Sequence, residues 1–144
     1  MRRILGSICV LFLLGAGGED AVKEDLKKLQ GEWVMSALEV NGIDVEPEKL
    51  GGATLTVKDN IYHVKLKDQE HSCQLTLRPD NTPREVDMFF QDGPNRDRTG
   101  KAIYKFEDGK LKLSRGLDVG QERPTEFSTA GGGNYFVVTW KKKS

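Results

Sequence analysis

The chain has 144 residues, 37% of them hydrophobic and 31% charged, with 22 basic and 22 acidic side chains that cancel to a formal net charge of zero. This is the length of a single domain with enough apolar material for a core. The even charge excludes a chain drawn to nucleic acid or an anionic membrane by its overall field.

Arg2 and Arg3 precede an apolar run from Ile4 to Leu14, and Gly15-Ala16-Gly17-Gly18 follows it. A basic start, an apolar middle and small residues at the end are the pattern of a secretory signal peptide over residues 1–18. The run is shorter than the roughly 20 apolar residues that span a bilayer, so no stable membrane insertion is expected after cleavage. Cys9 lies inside the run rather than just after it, which argues against a lipid-anchored form. The expectation is a secreted or periplasmic protein whose folded domain is residues 19–144. Cleavage would leave Cys73 as the sole cysteine, so no internal disulfide holds the mature chain.

Asp20 to Gln30 has the spacing of a short helix. Val22, Leu26 and Leu29 share one face, Asp20 is placed as an N-cap, and Gly31 is placed to end it. From Trp33 onward the period is two. Trp33, Met35 and Ala37 alternate with Val34, Ser36, Leu38 and Val40, and Asn41-Gly42 signals a tight turn. Glu46 to Leu50 reads as one helical turn, ended by Gly51-Gly52. Leu55 and Val57 carry the next strand. Across Asp59-Asn60, Tyr62, Val64 and Leu66 oppose Ile61, His63 and Lys65. Cys73, Leu75 and Leu77 follow, then Val86, Met88 and Phe90. Beyond the break at Asp92-Gly93-Pro94-Asn95, Ala102, Tyr104 and Phe106 alternate with Lys101, Ile103 and Lys105. Glu107-Asp108-Gly109 is a hairpin turn, with Leu111 and Leu113 beyond it. Residues 116–133 form a long turn-rich stretch, and Phe136, Val138 and Trp140 carry the last strand. Lys141-Lys142-Lys143 reads as a solvated terminus.

Eight strands with short links make antiparallel neighbours. Closure of the sheet would remove its edges, which predicts an all-β, antiparallel up-and-down eight-stranded barrel with a short N-terminal helix. A two-sheet sandwich is the competing arrangement.

The motifs Leu29-Gln30-Gly31-Glu32-Trp33, Glu39-Val40-Asn41-Gly42, Asp92-Gly93-Pro94, Ile103-Tyr104 before Asp108-Gly109, and Arg123-Pro124-Thr125-Glu126-Phe127 follow one another in a set order. In that order the chain resembles a lipocalin-like (calycin-type) domain family of uncharacterised function, expanded in planctomycete bacteria. The resemblance runs from about Leu26 to Lys142. It implies a lipocalin-type barrel and an exported location, and it brings no catalytic residues. Members of that family often carry a cysteine in the strand after the Asp-Gly turn, where this chain has Leu113-Ser114-Arg115. In lipocalins the Gly-x-Trp tryptophan packs on a basic side chain, which implies Arg123, Arg115 or Lys141 as its partner here. Gly31 and Trp33 are then barrel-closing residues.

No catalytic constellation is present: there is no nucleophile elbow and no His-Glu-x-x-His, and an enzyme is not expected. No cofactor or metal is expected either. His63 and His71 would need Glu70 or Asp68 as a third ligand, and solvated histidines are the plainer reading. Asp92, Asn95 and Asp97 lack the rhythm of a calcium loop. Gly131-Gly132-Gly133 precedes a strand rather than a helix and reads as a loop at the barrel mouth. Cys73 reads as a buried structural thiol, and Glu85 and Asp87 as an outward pair. Two functional classes remain. One is a barrel that binds a small apolar ligand among Leu55, Val57, Tyr62, Val64, Leu66, Leu75, Leu77, Met88, Phe90, Tyr104 and Phe106. The other is a protein-interaction or envelope-structural module with a solid core, which would work through the loops at residues 92–100 and 116–133. The plug at Trp33 predicts that any site lies at the opposite end.

Overall fold

Links of a few residues leave each strand beside its chain neighbour, and the last strand returns to the first. In the computed structural model, which describes residues 13–143, helix α1 (Leu13–Leu29) is followed by nine strands. They are β1 (Gly31–Val40), β2 (Ile43–Val45), β3 (Thr54–Lys58), β4 (Ile61–Leu66), β5 (Gln69–Arg78), β6 (Arg84–Phe90), β7 (Thr99–Glu107), β8 (Lys110–Gly116) and β9 (Tyr135–Lys142). All pairings are antiparallel. The order β1-β3-β4-β5-β6-β7-β8-β9 closes through β9 on β1, giving an eight-stranded barrel. The signal-peptide assignment of residues 1–18 falls largely on positions 1–12, outside the described residues. No helix among the described residues is long and apolar enough to cross a membrane.

Strand β2 is an addition to the eight strands expected. Asn41 and Gly42 both take positive φ, 51° and 81°, which is the backbone of a tight two-residue hairpin. They fold Ile43–Val45 back onto Leu38–Val40. The first half of β1 pairs with β3 and the second half with β2, while its other edge follows β9. The expected turn at Glu46 to Leu50 is a 3-10 turn, Pro47–Leu50.

The strict alternation expected along β1 breaks at a bulge between Met35 and Ala37. One extra residue shifts the later side chains to the other face. Ala37 is therefore exposed, and Leu38 and Val40 join the interior side. The helix also differs from expectation. Within the described residues it runs from Leu13, and Asp20 lies inside it. With helical residues before it, Asp20 has no orphan amides to cap.

Helix α1 lies across the barrel end formed by the β3–β4, β5–β6 and β7–β8 turns. Leu29 and Trp33 are buried there. Gly31 turns the chain from helix into strand at φ 118°, a conformation that disfavours any side chain. The Trp33 indole N–H donates to the Leu29 carbonyl at 2.9 Å, satisfying one of the helix's free carbonyls. The Gln30 side chain donates to Asp59 O and accepts from Asp59 N, both at 2.8 Å, which ties the helix end to the β3–β4 turn. Buried Asp25 accepts the Tyr104 hydroxyl at 2.6 Å and meets Arg84 at 3.4 Å. The cation on the Trp33 ring is Lys142, 4.5 Å from its centroid, not Arg123, Arg115 or Lys141. Register explains the correction, because β9 runs to Lys142 and sets that residue directly opposite Trp33.

Residues 117–134 fold back over the outside of the wall. A row of outward residues runs across the sheet: Glu85, Ile103, Ser114, Val137 and Glu39 are successive partners on β6, β7, β8, β9 and β1. Arg123 binds Glu85 and Asp87 at one end of this row, and Thr129 donates to Glu39 at 2.7 Å at the other. Residues 123–129 thus form a belt along the row. Ile103, expected to face water with Lys101 and Lys105, is fully buried, as is Ser114.

Candidate functional site

Inward side chains fill the half of the barrel near α1 and leave the other half hollow. At the far end a cavity of about 280 Å³ lies between the sheet walls. Met35, Leu38 and Val40 line it from β1, Tyr62, Val64 and Leu66 from β4, and His71 and Cys73 from β5. Met88 and Phe90 of β6, Leu113 and Arg115 of β8, and Phe136, Val138 and Trp140 of β9 complete the wall. Leu50 of the 3-10 turn and Leu117 at the start of the belt also border it. That volume is near the lower end of small-molecule sites, which bury a ligand among apolar side chains and a few polar groups.

Five of the eleven interior residues expected to bind a ligand border this cavity: Tyr62, Val64, Leu66, Met88 and Phe90. The other six pack in the half nearer the helix. Leu55, Val57, Leu75, Leu77 and Tyr104 are buried there, and Phe106 is half-buried, its ring edge-on to Tyr104 at 6.0 Å. The alternation that identifies an inward side chain carries no height along the barrel axis, so it does not separate the two groups. Leu38, Val40, Phe136, Val138 and Trp140 carry the same apolar signal, and the β1 bulge hides the first two. His71 and Arg115 were missed as lining residues because a polar side chain on an inward face runs against the usual pattern.

The cavity has few polar groups. The Trp140 indole N–H donates to the Tyr62 hydroxyl at 2.9 Å, deep in the wall. Burial pushes the Tyr62 hydroxyl up from its ordinary pKa and pushes the Cys73 thiol up to about 12. Both are neutral at pH 7, and a neutral buried thiol is a poor nucleophile. His71 shares the inward face with Cys73 and stands at the mouth, 3.9 Å from Asp92. Asp92 also accepts the Ser72 amide of β5 at 3.1 Å, a bond between segments rather than within the turn.

Arg115 is the one cation among the lining residues. Its guanidinium carbon lies 5.0 Å from the Phe90 ring centroid and 5.2 Å from that of Phe136. Burial lowers its pKa from the ordinary value, but arginine stays protonated in proteins.

His63 and His71 face opposite sides of the sheet, since His63 pairs with Ser72 and His71 with Val64. Outward His63 bonds Ser72 at 2.6 Å and Glu70 at 2.8 Å. Shared ligation by the two histidines is therefore ruled out by alternation. Glu85 and Asp87 do face outward. Asp87 sits between Arg78 and Arg123, each 2.7 Å away. Burial pushes its carboxyl up, and the two guanidiniums outweigh that and hold it below the usual carboxylate range.

Fold and cavity together define a class: a closed antiparallel eight-stranded barrel, lipocalin-like in architecture, with a helix across one end and an apolar cavity at the other. No protein-family model, curated protein or solved structure matches the chain.

Proposed function

We propose that the protein is an exported, lipocalin-like carrier or sensor that binds a small apolar molecule in the open half of its barrel. The observation that carries this reading is the 280 Å³ cavity, lined almost wholly by aliphatic and aromatic side chains, at the end opposite the helix. A barrel built only as an interaction scaffold has no need to leave that volume unfilled, because voids forfeit dispersion contacts and cost stability. Export rests on the basic and apolar pattern of residues 1–18, and kinship with the lipocalin-like planctomycete family rests on the ordered motifs. Ligand exchange, rather than catalysis, fits a site whose thiol and phenol are held neutral by burial.

The test uses the neutral fluorophore N-phenyl-1-naphthylamine. The expected result is saturable, blue-shifted emission at one site per chain. Val64, a wall residue of the cavity, is the place to block it: Val64→Trp fills the space and is expected to abolish binding while leaving the β-sheet circular dichroism intact. A wild-type protein that does not bind the fluorophore would sink the proposal.

A further inference from the structure

We propose that the cavity selects an amphiphile with an anionic head, and that Arg115 is the group that docks its carboxylate. The inference rests on the small-molecule reading above and names the ligand class it requires.

The pattern Leu111-Lys112-Leu113-Ser114-Arg115 places Arg115 on the inward face of β8, in line with two leucines. An inward cation at an apolar position is costly unless it is paired. Arg115 has no such pairing among the described residues. Its Nε atom is buried without a hydrogen-bond partner. The ionisable groups that bear on it are Cys73 and Tyr62, both neutral at pH 7. No carboxylate among the described residues balances it. The Phe90 and Phe136 rings hold the guanidinium by cation–π attraction, which orients it but supplies no acceptor for its N–H groups.

The fold also makes room for this arrangement. Gly100 of β7 lies beneath the arginine, where an added Cβ would stand 3.0 Å from Arg115 Cδ and 3.2 Å from Nη1. A side chain at position 100 would crowd the guanidinium. The cation is therefore fitted, oriented between two aromatic rings and unneutralised, and it borders a cavity that is otherwise apolar. Guanidinium can only donate, and its planar fork matches a carboxylate. The surrounding wall calls for an apolar body, and the volume limits that body to a medium-length chain or a small ring system. A ligand with both parts supplies the missing counter-charge and fills the void in one step.

The test compares decanoate with decanol, which differ in the head group, as displacers of N-phenyl-1-naphthylamine. Decanoate is expected to displace the fluorophore from the wild-type protein at a concentration lower by about tenfold or more, the effect of one charge-assisted contact. Arg115→Met is expected to lose the preference, so that decanoate and decanol displace the fluorophore from it at similar concentrations. Equal displacement by the two compounds from the wild type, or an undiminished preference in Arg115→Met, would overturn the inference. If Arg115→Met does not fold, the wild-type ratio decides alone. Failure of the fluorophore to bind the wild type would count against the carrier reading itself, and so is distinguishable from failure of the head-group assignment.

Discussion

Tyr104 and Lys105 are adjacent in β7 and opposite in environment. Tyr104 is 2% exposed, and its hydroxyl donates to buried Asp25, which holds α1 on the barrel end. Lys105 stands on the outer face, near Glu107 at 3.5 Å and over the Phe127 ring at 4.7 Å. Tyr104→Asp would remove a large core side chain, delete the bond to Asp25 and set a second carboxylate beside the first. Each is severe, and an uncompensated buried charge alone costs about 3–5 kcal/mol, so the variant is expected not to fold. Lys105→Asp gives up a surface pair and an exposed cation–π contact, and is expected to cost about 1 kcal/mol or less. Urea unfolding followed by circular dichroism checks both, and equal damage would refute the inward and outward assignment of β7. That assignment was legible in the sequence, because Ala102, Tyr104 and Phe106 alternate with two lysines. Ile103 was not legible, since nothing local to it reveals that a distant segment covers its outward side chain.

At the scale of elements, the belt is what the alternation could not show. Arg123-Pro124-Thr125-Glu126-Phe127 is legible as a motif, but the belt's anchors, Glu85 for Arg123 and Glu39 for Thr129, are brought into one row only by strand register. Arg123 donates to the Val86 and Ala102 carbonyls at 3.2 and 2.9 Å and to Asp87 at 2.7 Å. Arg123→Gln is expected to destabilise the domain by about 2–3 kcal/mol, the scale of losing hydrogen bonds from a charged group. It should also speed amide exchange across residues 117–134 more than elsewhere. Uniform exchange changes would show that the belt is not a separately tethered element. The same anchor is sensitive to acid. The folded state holds the Asp87 carboxyl below its ordinary pKa, so its contribution is intact above the ordinary carboxylate value. As pH falls below about 4, the unfolded chain takes up the proton first and the contribution is lost. Asp87→Asn is therefore expected to be less stable than the wild type at pH 7 and to lose less on going to about pH 3. Urea midpoints at the two pH values measure the difference, and an equal acid loss in both proteins would refute the role of Asp87.

Over the whole molecule, the barrel is a tube with unlike ends, and the opening motif explains one of them. Leu29 plugs, Gln30 stitches the helix to a turn, Gly31 redirects the chain, and Trp33 seals under Lys142. Closure of the sheet was legible from strand count and link length. The hollow half was not, because the residues that line a cavity and those that fill a core are the same kinds in the same alternation. Among the described residues of α1, Val22, Asp25, Leu26 and Leu29 hold it to the barrel core. In the exported form proposed above, cleavage near Gly18 would leave the helix to start at Glu19-Asp20, with two carboxylates at its N-terminus, where the helix dipole favours them. Asp20, which the upstream residues place inside the helix, would then be free to cap the new first turn. Residues 19–144 produced alone are therefore expected to fold with α1 in place, and Asp20→Ala in that form to cost about 1 kcal/mol, the usual worth of an N-cap. In the full-length chain, where helix precedes Asp20, the same substitution is expected to cost much less. Urea unfolding of the four proteins measures the contrast, and an equal effect of Asp20→Ala in the long and short forms would show that the helix start does not move with cleavage.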